Sequence, residues 1–107
     1  MKTCTAPGHP SCSITCPNGC IAMYIEPNGP CETRCSGGAV LDIDASKQFS
    51  VQISDMPAAE LGRIIGFSLD ASVRNSLSSS NKLVSISLQN IKLEELVKAI
   101  NGGLHQI

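Results

Sequence analysis

The sequence has few aromatic residues and no concentrated positive charge. Of its 107 residues, one is Tyr, two are Phe and none is Trp. Nucleic-acid stacking surfaces and many ligand pockets are rich in aromatic side chains, so both kinds of site are disfavoured. The formal net charge is −1 and Lys and Arg do not cluster, which removes the electrostatic basis for binding nucleic acid or anionic lipid. We therefore expect no nucleic-acid partner.

Long apolar runs are also missing. No stretch of about 18 apolar residues occurs, and this predicts that no helix of the protein spans a membrane. The start, Met1-Lys2-Thr3-Cys4, is not followed by the apolar region of a signal peptide. We expect a periplasmic or exported protein if an export signal has been removed from before Met1, and a cytoplasmic protein otherwise.

The motifs of familiar catalytic sites are missing as well. The chain has no Gly-x-Ser-x-Gly turn, no phosphate-binding loop and no Cys-x-x-Cys pair. Asp42 and Asp44 alternate with apolar residues, which predicts the solvent face of a strand and not an acid–base pair. His9, in a loop between Gly8 and Pro10, is expected to face solvent. We predict no catalytic residue and a protein that is not an enzyme.

The composition changes near Ser36-Gly37-Gly38. All six cysteines and five of the six prolines precede this point. We predict a cysteine-rich head at residues 1–38 and a body at residues 39–107. The head contains only five sizeable apolar residues, and their burial cannot offset the chain entropy lost on ordering. It should therefore be loop-dominated and depend on cross-links, on a metal or on docking against the body. These five residues are Ile14, Ile21, Met23, Tyr24 and Ile25.

The body has a clear strand and helix pattern. Apolar residues alternate in "FSVQIS" (49–54) and in "LVSISLQ" (83–89), which predicts two half-buried strands. "AAELGRIIGFSL" (58–69) and "LEELVKAING" (93–102) have the periodicity of amphipathic helices. The order predicts a small two-layer β-α-β-α domain of the α+β class.

Several finer features follow from the same pattern. Asp55 or its neighbour is expected to cap the first helix, with Pro57 in its first turn. Residues 76–82 read as a polar loop, residues 39–45 as an additional strand, and residues 103–107 as the start of a last strand. Leu93, Leu96, Val97 and Ile100 share one helix face and should pack on the strands.

The body resembles the short N-terminal domain of secretins and TonB proteins. The resemblance covers residues 49–103 and rests on "SDMPAAELGRIIG" and "VSISLQNIKLEELVKAINGGL", a strand, turn and helix followed by a second strand and helix. It implies two small sheets enclosing helices. It also implies a periplasmic, non-enzymatic module that contacts another protein, such as a component of the cell envelope. The head lies outside the resemblance.

The cysteines favour structural disulfides. Six cysteines form an even set in a Pro- and Gly-rich segment without its own core, as in small exported modules. Fifteen pairings are compatible with six cysteines. One nested option joins Cys16 to Cys35 and Cys20 to Cys31, with Asn28-Gly29 reversing the chain between them. The members of the set are Cys4, Cys12, Cys16, Cys20, Cys31 and Cys35.

Zinc is the alternative. A four-thiolate site is compatible with Cys16, Cys20, Cys31 and Cys35, and six thiols in a reducing compartment would favour metal. In that case the protein is a cytoplasmic zinc-binding protein whose head is folded by the ion. Redox catalysis is a third, weaker interpretation, because no helix N-terminus follows a cysteine to lower its pKa. We predict a protein-interaction module with a disulfide-stapled head and no cofactor, with zinc kept open as the alternative.

Overall fold

The computed structural model describes residues 1–104, and this part of the chain contains six strands and three α-helices. The predicted α+β class is confirmed. The strands are β1 (Lys2–Thr5), β2 (Ser13–Cys16), β3 (Cys20–Ile25), β4 (Cys31–Cys35), β5 (Phe49–Pro57) and β6 (Leu83–Ile91). The helices are α1 (Ala58–Ile64), α2 (Ala71–Ser78) and α3 (Leu93–Leu104), with a 3-10 turn at Gly66–Ser68.

The strands form two antiparallel sheets. The main sheet has the order β4-β3-β5-β6, and β1 pairs with β2 in a separate two-stranded sheet. The turn between β3 and β4 contains Asn28 and Gly29, as the sequence predicted, and Gly29 takes a φ of +86° that glycine adopts without steric cost. None of the helices in residues 1–104 is long and apolar enough to cross a membrane.

The central strand β3 is buried on both faces. Ile21 and Met23 belong to the main apolar core, which the helices and β5 complete. Cys20 and Ala22 point the other way into a second cluster with cysteines of β1 and β2. Since side chains alternate across a strand, one short segment serves both clusters, and the fold has three layers. These layers are the helices, the main sheet and the small sheet.

Helix α3 packs as predicted. Leu96 and Ile100 are almost fully buried in the main core, Leu93 is buried at its margin, and Val97 packs partly against it. The same core contains Phe49, Val51, Ile53 and Val84 of β5 and β6. The helix continues to Leu104, past the end at residue 102 that the sequence predicted. The expected last strand at 103–107 is wrong for its first two residues, and residues 105–107 lie outside the described residues.

The helix predicted over residues 58–69 is interrupted, because this segment contains α1 and the separate 3-10 turn. Helix α1 ends at Ile64, and a separate helix α2 occupies part of the segment expected to be a polar loop. Val73 and Leu77, four residues apart, are both buried, so tertiary packing stabilises a helix whose serines are otherwise poor helix formers. The expected cap at Asp55 is also wrong, because Asp55 lies in β5 at a positive φ and pairs with Lys2.

Residues 39–45 are not a strand. Leu41 and Ile43 are buried while Asp42 and Asp44 are exposed, so the predicted alternation is correct. The Leu41 amide donates to the Ile64 carbonyl, and the Ile43 amide donates to Ser68 Oγ. These amides bond to the α1 end and the 3-10 turn and not to a neighbouring strand, so no ladder forms.

The head is richer in strands than expected. It holds four of the six described strands and is therefore not loop-dominated. Strand β3 pairs with β4 on one side and with β5 on the other, so the main sheet runs across the compositional change at residue 38. The division at residue 38 thus separates two compositions within a shared sheet.

Candidate functional site

The six cysteines form three disulfides. They join Cys4 to Cys20, Cys12 to Cys31, and Cys16 to Cys35, with Cα–Cα distances of 6.0, 5.6 and 5.6 Å. The predicted Cys16–Cys35 bridge is therefore present, and the predicted Cys20–Cys31 bridge is wrong. The antiparallel register places Cys20 opposite Cys35 and Cys31 opposite Tyr24, which separates Cys20 from Cys31 along the hairpin.

Each bridge joins the small sheet or its loop to the main sheet. Cys4 of β1 is bonded to β3, Cys16 of β2 to β4, and Cys12 of the intervening loop to the start of β4. A sulfur in a disulfide is not a thiolate ligand, so the alternative zinc site does not form alongside these bridges. No group of His, Cys, Asp and Glu within residues 1–104 is arranged to hold a metal ion.

A polar cluster lies where the loop after β1 meets the end of β3. The His9 ring stacks on Tyr24 with centroids 3.7 Å apart, and His9 Nε2 lies 2.7 Å from Glu26 Oε2. Ser50 Oγ donates to the same Glu26 oxygen at 2.7 Å and accepts from the Asn90 amide at 3.2 Å. The prediction that His9 faces solvent is wrong, since its side chain is only 24% exposed.

This cluster has the groups of a nucleophilic triad in an unproductive order. In such a triad the histidine lies between the hydroxyl and the carboxylate. Here Glu26 lies between His9 and Ser50, and Ser50 is fully buried. The Ser50 bond lowers the pKa of Glu26 most, and His9 lowers it further through a hydrogen bond and its charge. The cluster therefore links the loop after β1 to the main sheet. Its Ser50 hydroxyl also provides a hydrogen-bond acceptor for the Asn90 amide at a β-bulge.

A groove on the opposite side of the fold lies between α1 and α2. Its floor includes Gly62 and Gly66, and the absence of a side chain at each lets the two helices approach closely. A Cβ on Gly62 would lie 3.0 Å from Leu77 Cβ, and one on Gly66 would lie 3.1 Å from Arg74 Cδ. The groove has a volume of about 350 Å³ and is lined by Val40, Ala59, Gly62, Arg63, Gly66, Phe67, Arg74 and Ser78.

Two large apolar side chains are exposed at this groove. Phe67 is 78% exposed and Val40 is 42% exposed. The other strongly exposed large hydrophobic residues among those described are Met1 and Leu83, and neither lines this groove. Single exposed apolar residues are ordinary, whereas two beside a concave surface are typical of binding sites.

The groove carries two arginines in different electrostatic states. Arg63 Nη2 lies 3.0 Å from Glu60 Oε1, and this hydrogen bond raises the pKa of Arg63 and lowers the pKa of Glu60. Glu60 also accepts from the Gly37 amide at 2.7 Å, which holds the turn after β4 against α1. Arg74 has no side-chain hydrogen bond or ion pair within residues 1–104. The groove therefore presents one uncompensated positive charge next to Phe67.

Two other depressions are larger but lack this combination. One of about 560 Å³ lies beside the starts of α2 and α3, and one of about 730 Å³ lies near Glu26 and Lys92. Neither is lined by a strongly exposed large hydrophobic residue. Each mixes acidic and basic side chains, so neither selects one sign of charge.

The sequence contained one signal for the groove. Gly62 and Gly66 are spaced four residues apart within the helix predicted over residues 58–69, where glycine lowers helix stability. Phe67 is exposed, whereas the apolar residues at helical spacing around it are buried: Leu61, Ile64, Ile65 and Leu69. Arg74 gave no signal, because its position at the groove depends on the unpredicted helix α2.

A scan against models of protein families and searches of curated proteins and of solved structures found no match for this chain. The resemblance to the secretin and TonB short N-terminal domain therefore stays a prediction.

Proposed function

We propose that the protein is a non-enzymatic protein-binding module whose disulfide-stapled head supports a groove for a partner protein. The observation that carries the proposal is the exposed pair Phe67 and Val40 beside the uncompensated Arg74. Aromatic residues and arginine are the side chains most enriched at the centres of protein interfaces.

The groove fits a segment that places an apolar side chain next to a carboxylate. The apolar part would cover Phe67 and Val40, which lose water contact on binding. The carboxylate would accept from Arg74, whose planar guanidinium donates two parallel hydrogen bonds to such a group. The stem of Arg74 already lies across Gly66, with Cδ 3.1 Å from where a Cβ would be, so the side chain is partly ordered before binding.

The proposed compartment is periplasmic or otherwise exported. Three disulfides in a chain of this size persist in oxidising compartments and are rare where thiols are kept reduced. An envelope protein is the proposed partner class, in keeping with the resemblance of residues 49–103. The test of the compartment is whether the oxidised form is the one recovered from cells under thiol-blocking conditions.

The test of the groove compares two peptide pools against the isotope-labelled protein. One pool carries Leu or Phe flanked by Asp, and the matched pool carries Lys in place of Asp. We expect the acidic pool alone to shift the amide signals of Gly62, Gly66 and Phe67. Arg74→Glu should abolish these shifts. Lys98→Glu is an equal charge reversal at an exposed position of α3, and it should leave the shifts unchanged.

Two results would contradict the proposed groove. One is that neither pool shifts these signals while the folded spectrum is intact. The other is that both pools act equally, since charge would then play no part in recognition. An acidic pool that shifts signals around the larger depression near Lys92 would move the site there.

A further inference from the structure

The main sheet ends in an open strand edge at β6. No strand within residues 1–104 pairs with the outer side of β6, which is the last strand in the order β4-β3-β5-β6. At nine residues it is as long as β5 and longer than the other described strands. An edge of this length presents a row of backbone donors and acceptors that another strand can pair with.

The two edges of the main sheet differ in how they discourage such pairing. The β4 edge is short, carries Glu32 and Arg34, and is held by two disulfides. The β6 edge, "LVSISLQNI", contains no charged residue and no proline. Natural proteins usually protect an edge with charge, proline or covering structure. β6 has neither charge nor proline, and bulges flank only the ends of its regular part, which favours an edge that is open to pairing there.

The sequence of β6 is self-complementary in an antiparallel pair. When two copies meet with Ser87 opposite Ser87, Ile86 faces Leu88 and Ser85 faces Gln89. Apolar residues thus meet apolar ones and polar residues meet polar ones on each face of the sheet. The match is confined to this central stretch, because the bulge before Ile91 turns that residue into the main core, away from the exposed Leu83. No charged side chains oppose each other, so nothing repels an identical strand.

The structure places Ser87 at the centre of the regular part of β6. The ladder with β5 is regular from Ile86 to Leu88, between two bulges. Ile86 and Leu88 are only half-buried, and Leu83 is 60% exposed. A second strand along this edge would cover all three. The simplest partner for this edge is β6 of a second copy. Its apolar and polar residues alternate in the same way on both sides of Ser87, so a two-fold axis gives both copies the same contacts.

We propose that two copies of the chain associate through antiparallel pairing of their β6 edges, centred on Ser87, to form a continuous eight-stranded sheet. The groove between α1 and α2 is built from other elements, so the dimer would present two such grooves. The pairing goes beyond the proposed binding function and does not depend on it.

The test is the mass of the oxidised protein in solution, measured by sedimentation over a range of concentrations up to millimolar. We expect the wild-type chain to reach twice its monomer mass of 11.2 kDa. Ser87→Lys places two lysines directly opposite each other and should return the mass to the monomer value. Ser76→Lys makes the same chemical change at an exposed position of α2, and it should leave the dimer intact.

Amide hydrogen exchange gives a second readout that needs no variant. Protection of residues 83–91 should rise with protein concentration, while protection of β4 should not. A wild-type chain that stays at monomer mass at every concentration, with exchange of β6 independent of concentration, would overturn the proposal. So would a dimer that survives Ser87→Lys, or growth past the dimer into open-ended assemblies.

Discussion

Residues 1–38 and residues 39–104 contribute to the same sheet but are held by different interactions. In the first region, three disulfides join the small sheet to β3 and β4 around a cluster of cysteines and small side chains. In the second region, helices α1 to α3 cover the sheet with a core of aliphatic residues. Strand β3 takes part in both, through Cys20 and Ala22 on one face and Ile21 and Met23 on the other.

The comparison shows that a change of composition need not coincide with a break in the sheet. If the predicted boundary at residue 38 separated two folding units, residues 39–107 would keep their secondary structure without the head. The structure leads to the opposite expectation, because removing β3 would uncover one edge of β5 and take two fully buried side chains, Ile21 and Met23, from the main core. Whether the boundary at residue 38 divides two folding units is open to direct test.

Reduction of the three disulfides should have the largest effect. The bridged residues are 16, 19 and 19 positions apart. A disulfide that closes a loop of this length stabilises the folded protein by about 3 kcal/mol, because it restricts the unfolded chain. Three such terms are comparable with the whole stability of a small domain. We expect the amide signals of residues 1–38 and of β5 to lose dispersion together when a reductant is added. The measurement is a two-dimensional amide spectrum with and without reductant.

A chelator without reductant is the control for this experiment, and it should leave the spectrum unchanged. If the chelator alone collapsed the head signals, zinc and not disulfides would hold the head. If reduction collapsed residues 1–38 while residues 39–104 kept their dispersed signals, the two regions would be separate folding units, as composition indicated.

The substitution Leu96→Ala tests the apolar region. Leu96 is fully buried between α3 and the sheet, and truncation of a buried leucine costs about 2–5 kcal/mol through lost burial and the cavity left behind. We expect the free energy of unfolding in denaturant to fall by this amount with all disulfides intact. Val97→Ala, at a half-buried neighbouring position, should cost less. A loss for Leu96→Ala no larger than for Val97→Ala would show that α3 is not packed as described.

The substitution Glu26→Gln should have the smallest effect, and it tests the polar link between the regions. Because the Ser50 hydrogen bond, and then His9, hold the pKa of Glu26 below the ordinary value of a glutamate, its contribution to stability is present above that ordinary value and lost as the pH falls through the lower folded pKa. We expect the wild type to lose stability on acidification below about pH 4.5 more steeply than Glu26→Gln.

The measurement is the unfolding midpoint followed from pH 7 to pH 3 for both proteins. Asp44→Asn is the matched control, because the pKa of Asp44 is also lowered but its partner, Ser46, belongs to its own loop. Identical pH profiles for wild type and Glu26→Gln would show that the His9–Glu26–Ser50 contact contributes nothing to holding the loop on the sheet.

The parts of the fold that were predicted correctly have strong local periodicity. The alternation in β5 and β6 and the apolar face of α3 each specify an element and its buried side without reference to the rest of the chain. The errors have a common cause in tertiary contacts. Helix α2 forms because Val73 and Leu77 are buried in the main core. Residues 39–45 do not form a strand because their amides donate to the end of α1 and to the 3-10 turn.

The candidate groove could be anticipated only in part. The spacing of Gly62 and Gly66 is visible in the sequence, but its meaning depends on α2 packing against α1. Phe67 is exposed and the Arg74 side chain has no partner within residues 1–104 because of how three segments pack: the segment at Val40, the 3-10 turn and α2. His9 was misjudged for the same reason, since its partners Tyr24 and Glu26 are brought near by the disulfide at Cys12.

The sequence by itself determined the α+β class, the faces of the periodic strands and of α3, and the need of the head for cross-links, a metal or docking against the body. These follow from composition and from period, which are local properties. Only the tertiary structure decided which cysteines pair, that β3 lies at the centre of the main sheet, and which apolar side chains stay exposed at the groove and at β6. The reason is physical: fifteen pairings satisfy the same six cysteines. Burial is likewise settled by contacts between residues far apart in the chain.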